Sequence, residues 1–228
     1  MEKEFEKNYK GEQKRREITE LVFILDKSGS MSGMEKDTIG GFNAMIDKQK
    51  EIEGEVYVST VLFANNSYVL HDRKKLNDIG PLTKGDYQVG GCTALLDAIG
   101  GAIKHIGNIH KYARKEDLPK RTMFIITTDG MENASTKYNS KQIKEMISRQ
   151  KEKYGWEFLF LASNIDAVET AENIGIKKEY AVNYTVEVET VEMFEELSDT
   201  ICAYRREEPV CYDRIEKNIK QRRDNRKK

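Results

Sequence analysis

Three largely apolar runs, at residues 21–25, 123–126 and 156–161, are separated by segments in which apolar residues recur at helical spacing. Strands that read as near-continuous apolar runs are typical of a sheet covered on both faces. The helical segments are marked by Met34, Ile39, Phe42 and Ile46, by Leu95, Ile99, Ile103 and Ile106, by Ile143, Met146 and Ile147, and by Phe194, Leu197, Ile201 and Tyr204. This alternation predicts a doubly wound α/β fold, with a mostly parallel sheet and helices on both faces.

Local signals refine the predicted elements. Residues 56–64 and 68–73 are rich in β-forming residues and flank an Asn-Asn-Ser turn, so we expect a hairpin that supplies one antiparallel edge strand. Residues 180–184 predict a last edge strand. Ser32 with Glu35, and Asp166 with Glu169, have the spacing of helix N-terminal caps.

Charge is distributed unevenly along the 228 residues, although the net charge is only −1. Residues 1–20 hold six acids and six bases, the body from 21 to 204 has net charge −6, and residues 205–228 have net charge +5. We therefore predict a charged N-terminal arm at 1–17, one domain at 18–204 and a basic C-terminal tail at 205–228.

The basic tail admits three interpretations. Residues 217–228 contain seven bases and one acid, which is typical of a solvated tail, of a nucleic-acid contact, or of a segment that docks on an acidic partner, including the acidic body of a neighbouring copy. We favour the solvated tail, because no aromatic residues alternate with the bases as single-strand recognition requires. The near-zero net charge excludes a globally basic nucleic-acid binder, and the sequence leaves the oligomeric state open.

Composition also bears on location. No apolar run approaches the ~20 residues of a membrane helix, and the first residues alternate charges without an apolar core. Three cysteines are too few for a disulfide framework and fit a reducing compartment. We expect a cytoplasmic protein without a membrane span.

Candidate chemistry gathers where two apolar runs end. Asp26 follows the first run and Asp129 follows the second, at the strand ends where ligands bind in open α/β sheets. Ser28 and Ser30 flank Gly29 in the tight turn after Asp26, and Gly29 can adopt backbone angles denied to other residues. Carboxylates and hydroxyls without His or Cys suit Mg²⁺ or Mn²⁺ rather than zinc, and they are too few to complete the coordination shell.

Thr93 is a further candidate, because it follows a double glycine at the start of a predicted helix. Its hydroxyl has two possible uses, as the cap of that helix or as a metal ligand. The spacing alone does not decide between them.

The stretches ILDKSGSM, GGCTALLDAI and IITTDGMENAS together resemble the metal-ion-dependent adhesion site (MIDAS) of von Willebrand factor A (vWA) domains, in the order that the family has them. The resemblance covers roughly residues 18–204 and is nearest to small free-standing bacterial proteins of this type. It implies a six-stranded sheet whose second and third strands form the hairpin. It also implies that Ser28, Ser30 and Thr93 bind the ion directly or nearly so, with Asp26 and Asp129 acting partly through water.

The resemblance further implies a protein-binding module rather than an enzyme. An ion ringed by neutral hydroxyls keeps positive charge, which an Asp or Glu of a partner protein can neutralise at the open position. The alternative is a Mg²⁺-dependent phosphatase that forms an aspartyl-phosphate on Asp26, but Ser28 stands where such enzymes need a second acid.

Other polar residues near these motifs have simpler interpretations. Glu132 could compete for the ion, but we expect a solvated loop residue. Cys92 and Cys202 are expected to be packed thiols. The three histidines, His71, His105 and His110, are scattered and are expected to be ordinary surface or helix-face residues.

Overall fold

The computed structural model describes residues 17–163 and 165–226. The strands are β1 (Thr19–Asp26), β2 (Val56–Phe63), β3 (Ser67–Lys75), β4 (Arg121–Thr128), β5 (Glu157–Ala162) and β6 (Ala181–Asn183). The α-helices are α1 (Glu35–Lys50), α2 (Leu95–Tyr112), α3 (Ser140–Tyr154), α4 (Ala167–Asn173), α5 (Val186–Arg205) and α6 (Ile215–Arg226). Within these described ranges, each helix is too short or too polar to cross a bilayer.

One sheet joins the six strands in the order β3-β2-β1-β4-β5-β6. All neighbours pair in parallel except β2 and β3, which form the antiparallel hairpin at one edge. This confirms the doubly wound, mostly parallel sheet and both predicted edges. The chain winds away from β1 in opposite directions, to β2 on one side and to β4 on the other, so the carboxyl ends of β1 and β4 lie at the switch point where such folds bind ligands.

The apolar run of β1 is explained by burial on both faces. Leu21, Phe23 and Leu25 belong to a core that includes residues of α1, α5 and α6. Val22 and Ile24 belong to a second core that includes residues of α2, α3 and α4. Side chains alternate across a strand, so a strand at the centre of such a sheet needs apolar residues at successive positions.

The predicted cap at Asp166 is confirmed, since its carboxylate accepts a hydrogen bond from the Glu169 amide at 2.9 Å. The predicted capping box of Ser32 and Glu35 is wrong. The Ser32 hydroxyl instead donates to the carbonyl of Gly29 at 2.8 Å, and the Glu35 carboxylate accepts from the amide of Gly33. These side chains brace the turn that follows β1, and α1 begins after it without a side-chain cap.

The expectation of a solvated C-terminal tail is wrong for residues 215–226. They form α6, which packs on α5 through the buried Ile215 and Ile219. Arg222 and Arg223 reach carboxylates of α5, at 2.9 Å from Glu196 and 2.8 Å from Glu189. The basic segment therefore meets acids of its own chain. The predicted N-terminal arm lies, except for Glu17, outside the described residues.

Candidate metal centre

The two aspartates lie at the same edge of the sheet. β1 and β4 are adjacent and parallel, with Leu25 opposite Thr127 in the register. Asp26 is the last residue of β1, and Asp129 directly follows the last residue of β4. Adjacent parallel strands end at a common edge, so the sheet itself brings these carboxylates into one region.

The turn after β1 places the Ser30 hydroxyl against Asp129 and the Ser28 hydroxyl beside that of Ser30. Residues Gly29–Met31 form a single turn of 3₁₀-helix. The Ser28 and Ser30 hydroxyl oxygens are 3.1 Å apart, and the Ser30 hydroxyl donates to Asp129 Oδ1 at 2.6 Å. Residues 99 positions apart in sequence are thereby connected directly.

Thr93 supplies a third hydroxyl beside those of Ser28 and Ser30, and the three hydroxyls converge on the space above Gly130. A Cβ atom placed on Gly130 would lie 3.1 Å from Thr93 Oγ1, 3.2 Å from Ser30 Oγ and 4.0 Å from Ser28 Oγ. Three hydroxyls thus surround a space that a single methyl group would fill. The N-cap residue of α2 is Ala94 and no side chain caps it, so the Thr93 hydroxyl does not serve as the cap.

Asp26 is held from two sides in a buried position. Its Oδ1 accepts a hydrogen bond from the Ser28 amide at 2.7 Å, and its Oδ2 accepts one from the Thr128 hydroxyl at 2.6 Å. The residue is only 1% exposed. Burial raises the pKa of Asp26 above its ordinary value, and these hydrogen bonds only partly oppose that effect. A cation nearby would favour the ionised carboxylate.

The double glycine fixes the neighbouring loop against the turn. Gly90 and Gly91 have φ of 153° and 82°, in the region that favours glycine. The amide of Gly29 donates to the carbonyl of Gly91 at 3.0 Å, and the amide of Gly90 donates to Lys27. Gly29 itself has no positive φ, so the expected reason for a glycine there is wrong. A Cβ on Gly29 would lie 3.3 Å from the Gly91 oxygen, and close approach is the physical reason.

Sequence reasoning missed the residues that support the centre. Asn133 exchanges two hydrogen bonds with the main chain of Thr93, at 2.8 and 3.1 Å. The buried hydroxyl of Tyr87 donates to the main-chain oxygen of Asp26. Asn133 lies in the same motif as Asp129, which was a usable signal, whereas nothing in the sequence pointed to Tyr87.

Glu132 is not the solvated loop residue that we expected. Its carboxylate accepts hydrogen bonds from the amides of Leu96 and Ala134, both at 2.9 Å, and from the amide of Ser135 at 2.7 Å. The Leu96 amide belongs to the first turn of α2, whose free amides favour a negative charge. Glu132 therefore ties the loop after β4 to the start of α2.

The cysteine and histidine expectations are corrected in part. Cys202 is buried as predicted, but Cys92 is exposed. His71 is buried in β3 and contacts Thr60, so the expectation is wrong for this residue. His105 and His110 lie on α2, as expected, and His110 contacts the buried Glu20. Within the described part of the chain, no three His, Cys, Asp or Glu side chains are grouped to hold a metal.

A metal at the switch point would therefore be held largely by hydroxyls. Two carboxylates and three hydroxyls converge there, and all are hard oxygen donors of the kind that Mg²⁺ and Mn²⁺ prefer. The space above Gly130 makes the residues present compatible with such an ion.

Comparisons with known proteins identify the fold class. Neither the models of protein families nor the curated protein sequences give a match. Among solved structures, the vWF domain of the type V pili tip protein Mfa5 from Porphyromonas gingivalis is similar, with a TM-score of 0.56 and 10% identity over 83% of this chain and 96% of that one. Proximal thread matrix protein 1 from the mussel byssus is similar with a TM-score of 0.55 and 14% identity, over 82% of this chain and 47% of that one. A von Willebrand factor type A protein from Catenulispora acidiphila is similar with a TM-score of 0.50 and 14% identity, over 81% of this chain and 42% of that one.

The chain therefore has a vWA-like α/β fold, as its switch-point geometry and sheet order already indicate. It spans less than half the length of the mussel and Catenulispora chains, and nearly all of the Mfa5 domain. At identities this low the likeness concerns the fold alone.

Proposed function

We propose that this protein is a divalent-metal-dependent protein-binding module. Mg²⁺ or Mn²⁺ is held at the switch point, and its open coordination position accepts an Asp or Glu side chain of a partner protein. The residues that hold the ion are Asp26, Ser28, Ser30, Thr93 and Asp129. The observation that carries the proposal is the convergence of three hydroxyls on the space above Gly130, beside the Asp129 carboxylate.

The charges at the centre favour an acidic partner. The hydroxyls of Ser28, Ser30 and Thr93 are neutral, and both oxygens of Asp26 already accept hydrogen bonds from the protein. When bound, the ion would be contacted directly by neutral hydroxyls, with the two Asp carboxylates acting partly through water, so its open position keeps an affinity for a negatively charged oxygen. An Asp or Glu of a partner protein supplies that oxygen.

The centre is accessible from solvent on one side. Ser28, Thr93 and Asp129 are buried, whereas Ser30 is exposed. Met131, next to Gly130, is 73% exposed and offers an apolar contact at the rim. A polar anchor beside an exposed methionine fits a protein surface as partner. The similar fold of a pilus tip protein supports a binding role by analogy only.

The phosphatase alternative fits the geometry poorly. A nucleophilic carboxylate needs an oxygen that can reach the phosphorus atom. Asp26 is buried and both of its oxygens accept hydrogen bonds, from Ser28 and Thr128. We therefore propose that the protein is not an enzyme. Incubation with a generic phosphate ester and Mg²⁺ is expected to give no turnover, and turnover abolished by Asp26→Asn would reverse this conclusion. A cytoplasmic location, inferred from the sequence, is part of the proposal.

Metal titration tests the proposal directly. The metal-stripped protein is titrated with Mn²⁺ and Mg²⁺ by calorimetry, alongside Asp129→Ala and Thr93→Ala. We expect saturable binding by the wild type and a loss of affinity on the order of 100-fold in both variants. Ser32→Ala is the matched control, because its hydroxyl lies in the same turn but bonds to Gly29. No binding by the wild type, or equal binding by Asp129→Ala, would remove the proposal.

A further inference from the structure

A second concave site lies at the opposite end of the sheet from the metal centre. A cavity of about 490 Å³ opens between α2 and α3, next to the segments that enter β4 and β5. Four cationic side chains line it: Lys104, Lys111, Lys120 and Arg149. No carboxylate of the described residues lines this cavity.

Most of this positive charge is uncompensated. Lys120 is paired with Glu17 at 3.0 Å and also with Glu207. Lys104, Lys111 and Arg149, in contrast, form no ion pair with any carboxylate in residues 17–163 and 165–226. Three like charges around one concavity repel one another, and an anion bound between them relieves that repulsion.

The helix dipole accounts for only part of this arrangement. Cations are favourable in the last turn of a helix, which explains Lys111 at the end of α2. Lys104 lies about two turns earlier in α2, and Arg149 lies before the last turn of α3. The helix dipole therefore does not account for the position of these two side chains at the same cavity.

The shape of the cavity depends on Gly107. Lys104, Gly107 and Lys111 lie on one face of α2, because they are three and four positions apart. A Cβ on Gly107 would lie 3.7 Å from the side-chain nitrogen of Gln150 and 4.0 Å from the ring of Trp156. The missing side chain leaves space between the two lysines, and the Gln150 amide is a neutral donor beside it.

We propose that this cavity binds a small, multiply charged anion of the phosphate class. Cationic side chains around a concave space with amide donors are the chemistry that recognises phosphate oxygens. The site shares no residue with the metal centre, so it is independent of the proposed function.

Trp156 provides a local reporter, because it lines the cavity and is the single tryptophan of the chain. The full chain is titrated with pyrophosphate in metal-free buffer while Trp156 fluorescence is recorded, with sodium chloride at matched ionic strength as the reference. We expect a saturable change with pyrophosphate that sodium chloride does not produce. Lys104→Gln and Arg149→Gln are each expected to weaken binding about tenfold.

Two further variants keep the test specific. Lys141→Gln removes a charge from α3 outside the cavity and is expected to bind pyrophosphate normally. Gly107→Ala places a methyl group in the space between the two lysines and is expected to weaken the fluorescence response with the thermal midpoint retained, because a Cβ there meets its nearest neighbour at 3.7 Å. No saturable response of the wild type, or equal weakening by Lys141→Gln, would overturn the proposal. A response to vesicles of anionic lipid but not to pyrophosphate would also overturn it, since the anion would then be a lipid headgroup. None of these outcomes tests Mn²⁺ binding at the metal centre, which is measured separately.

Discussion

The candidate metal centre and the contact between α5 and α6 are held together by opposite kinds of chemistry. At the metal centre, short side chains from three distant segments are mostly buried and joined by hydrogen bonds to main chain and hydroxyls. At the α5–α6 contact, long arginines of α6 meet carboxylates of α5. Short, buried groups fix one geometry, whereas long, charged side chains tolerate several.

The difference matters for stability. Glu189 on α5 is 1% exposed beneath Arg223, so removal of α6 would return a buried carboxylate to water. Undocking of α6 is opposed by few buried apolar groups, chiefly Ile215 and Ile219, and by ion pairs whose carboxylates are buried and which salt therefore screens only weakly. We expect α6 to be the element that separates first, while the metal centre keeps its geometry.

The largest effect is expected from Gly130→Ala at the metal centre. The added methyl group would lie 3.1 Å from the Thr93 hydroxyl oxygen, in the space proposed for the ion. Affinity for Mn²⁺ in calorimetry should fall by on the order of 100-fold or more. Gly101→Ala in α2 is the control, because a Cβ there meets nothing within 4 Å. Equal affinities of the two variants would contradict the placement of the ion.

Arg222→Gln is expected to have the next largest effect, confined to the other region. Arg222 bonds to Glu196 and Asp199 of α5, so its loss should speed amide hydrogen exchange in α6 by about tenfold. Lys220→Gln is the matched control, because Lys220 pairs with Glu216 inside α6 and not with α5. If both variants exchange alike, the ion pairs between the helices do not hold α6.

Acidification should also weaken the attachment of α6 to α5. Burial alone would raise the pKa of Asp199, but hydrogen bonds from Lys48 and Arg222 bring that pKa below its ordinary value. A carboxyl group whose pKa is lowered by folding stabilises the folded state at pH values above its unfolded pKa. That stabilisation is lost as the pH falls through the folded pKa. Hydrogen exchange of α6 should therefore accelerate below about pH 4, relative to the intrinsic rate. Protection that increases with acidification would contradict the assignment.

The smallest effect is expected from Ser32→Ala. The hydroxyl of Ser32 donates to the Gly29 carbonyl at 2.8 Å from an exposed position. Its loss should lower the free energy of unfolding by less than about 1 kcal/mol, measured by urea denaturation. A larger loss, or a weakened metal affinity, would mean that the turn after β1 is less firmly held than its hydrogen bonds indicate.

The sequence was sufficient for the fold and for the position of the candidate centre, for a simple reason. Apolar runs separated by helical periodicity define a parallel sheet, and such a sheet places Asp26 and Asp129 at one edge. Ser28 and Ser30 follow within the same turn. Only Thr93 needed the fold to bring it to the others, because its spacing left open whether its hydroxyl capped α2 or joined the site.

The sequence-based predictions that were wrong concern features that depend on contacts between segments. Ser32 and Glu35 have the spacing of a capping box, but nearer partners in the turn compete for both side chains. Glu132 looked solvated because its partner, the Leu96 amide, lies 36 positions away. The helix α6 was missed because its sequence is nearly all polar, and the acids that attract it belong to α5.

The most direct measurement is the anomalous scattering of manganese in a crystal soaked with that ion. We predict one strong peak above Gly130, within coordination distance of the hydroxyl oxygens of Ser28, Ser30 and Thr93. A crystal that takes up manganese elsewhere but gives no peak between these hydroxyls and Asp129 would contradict it.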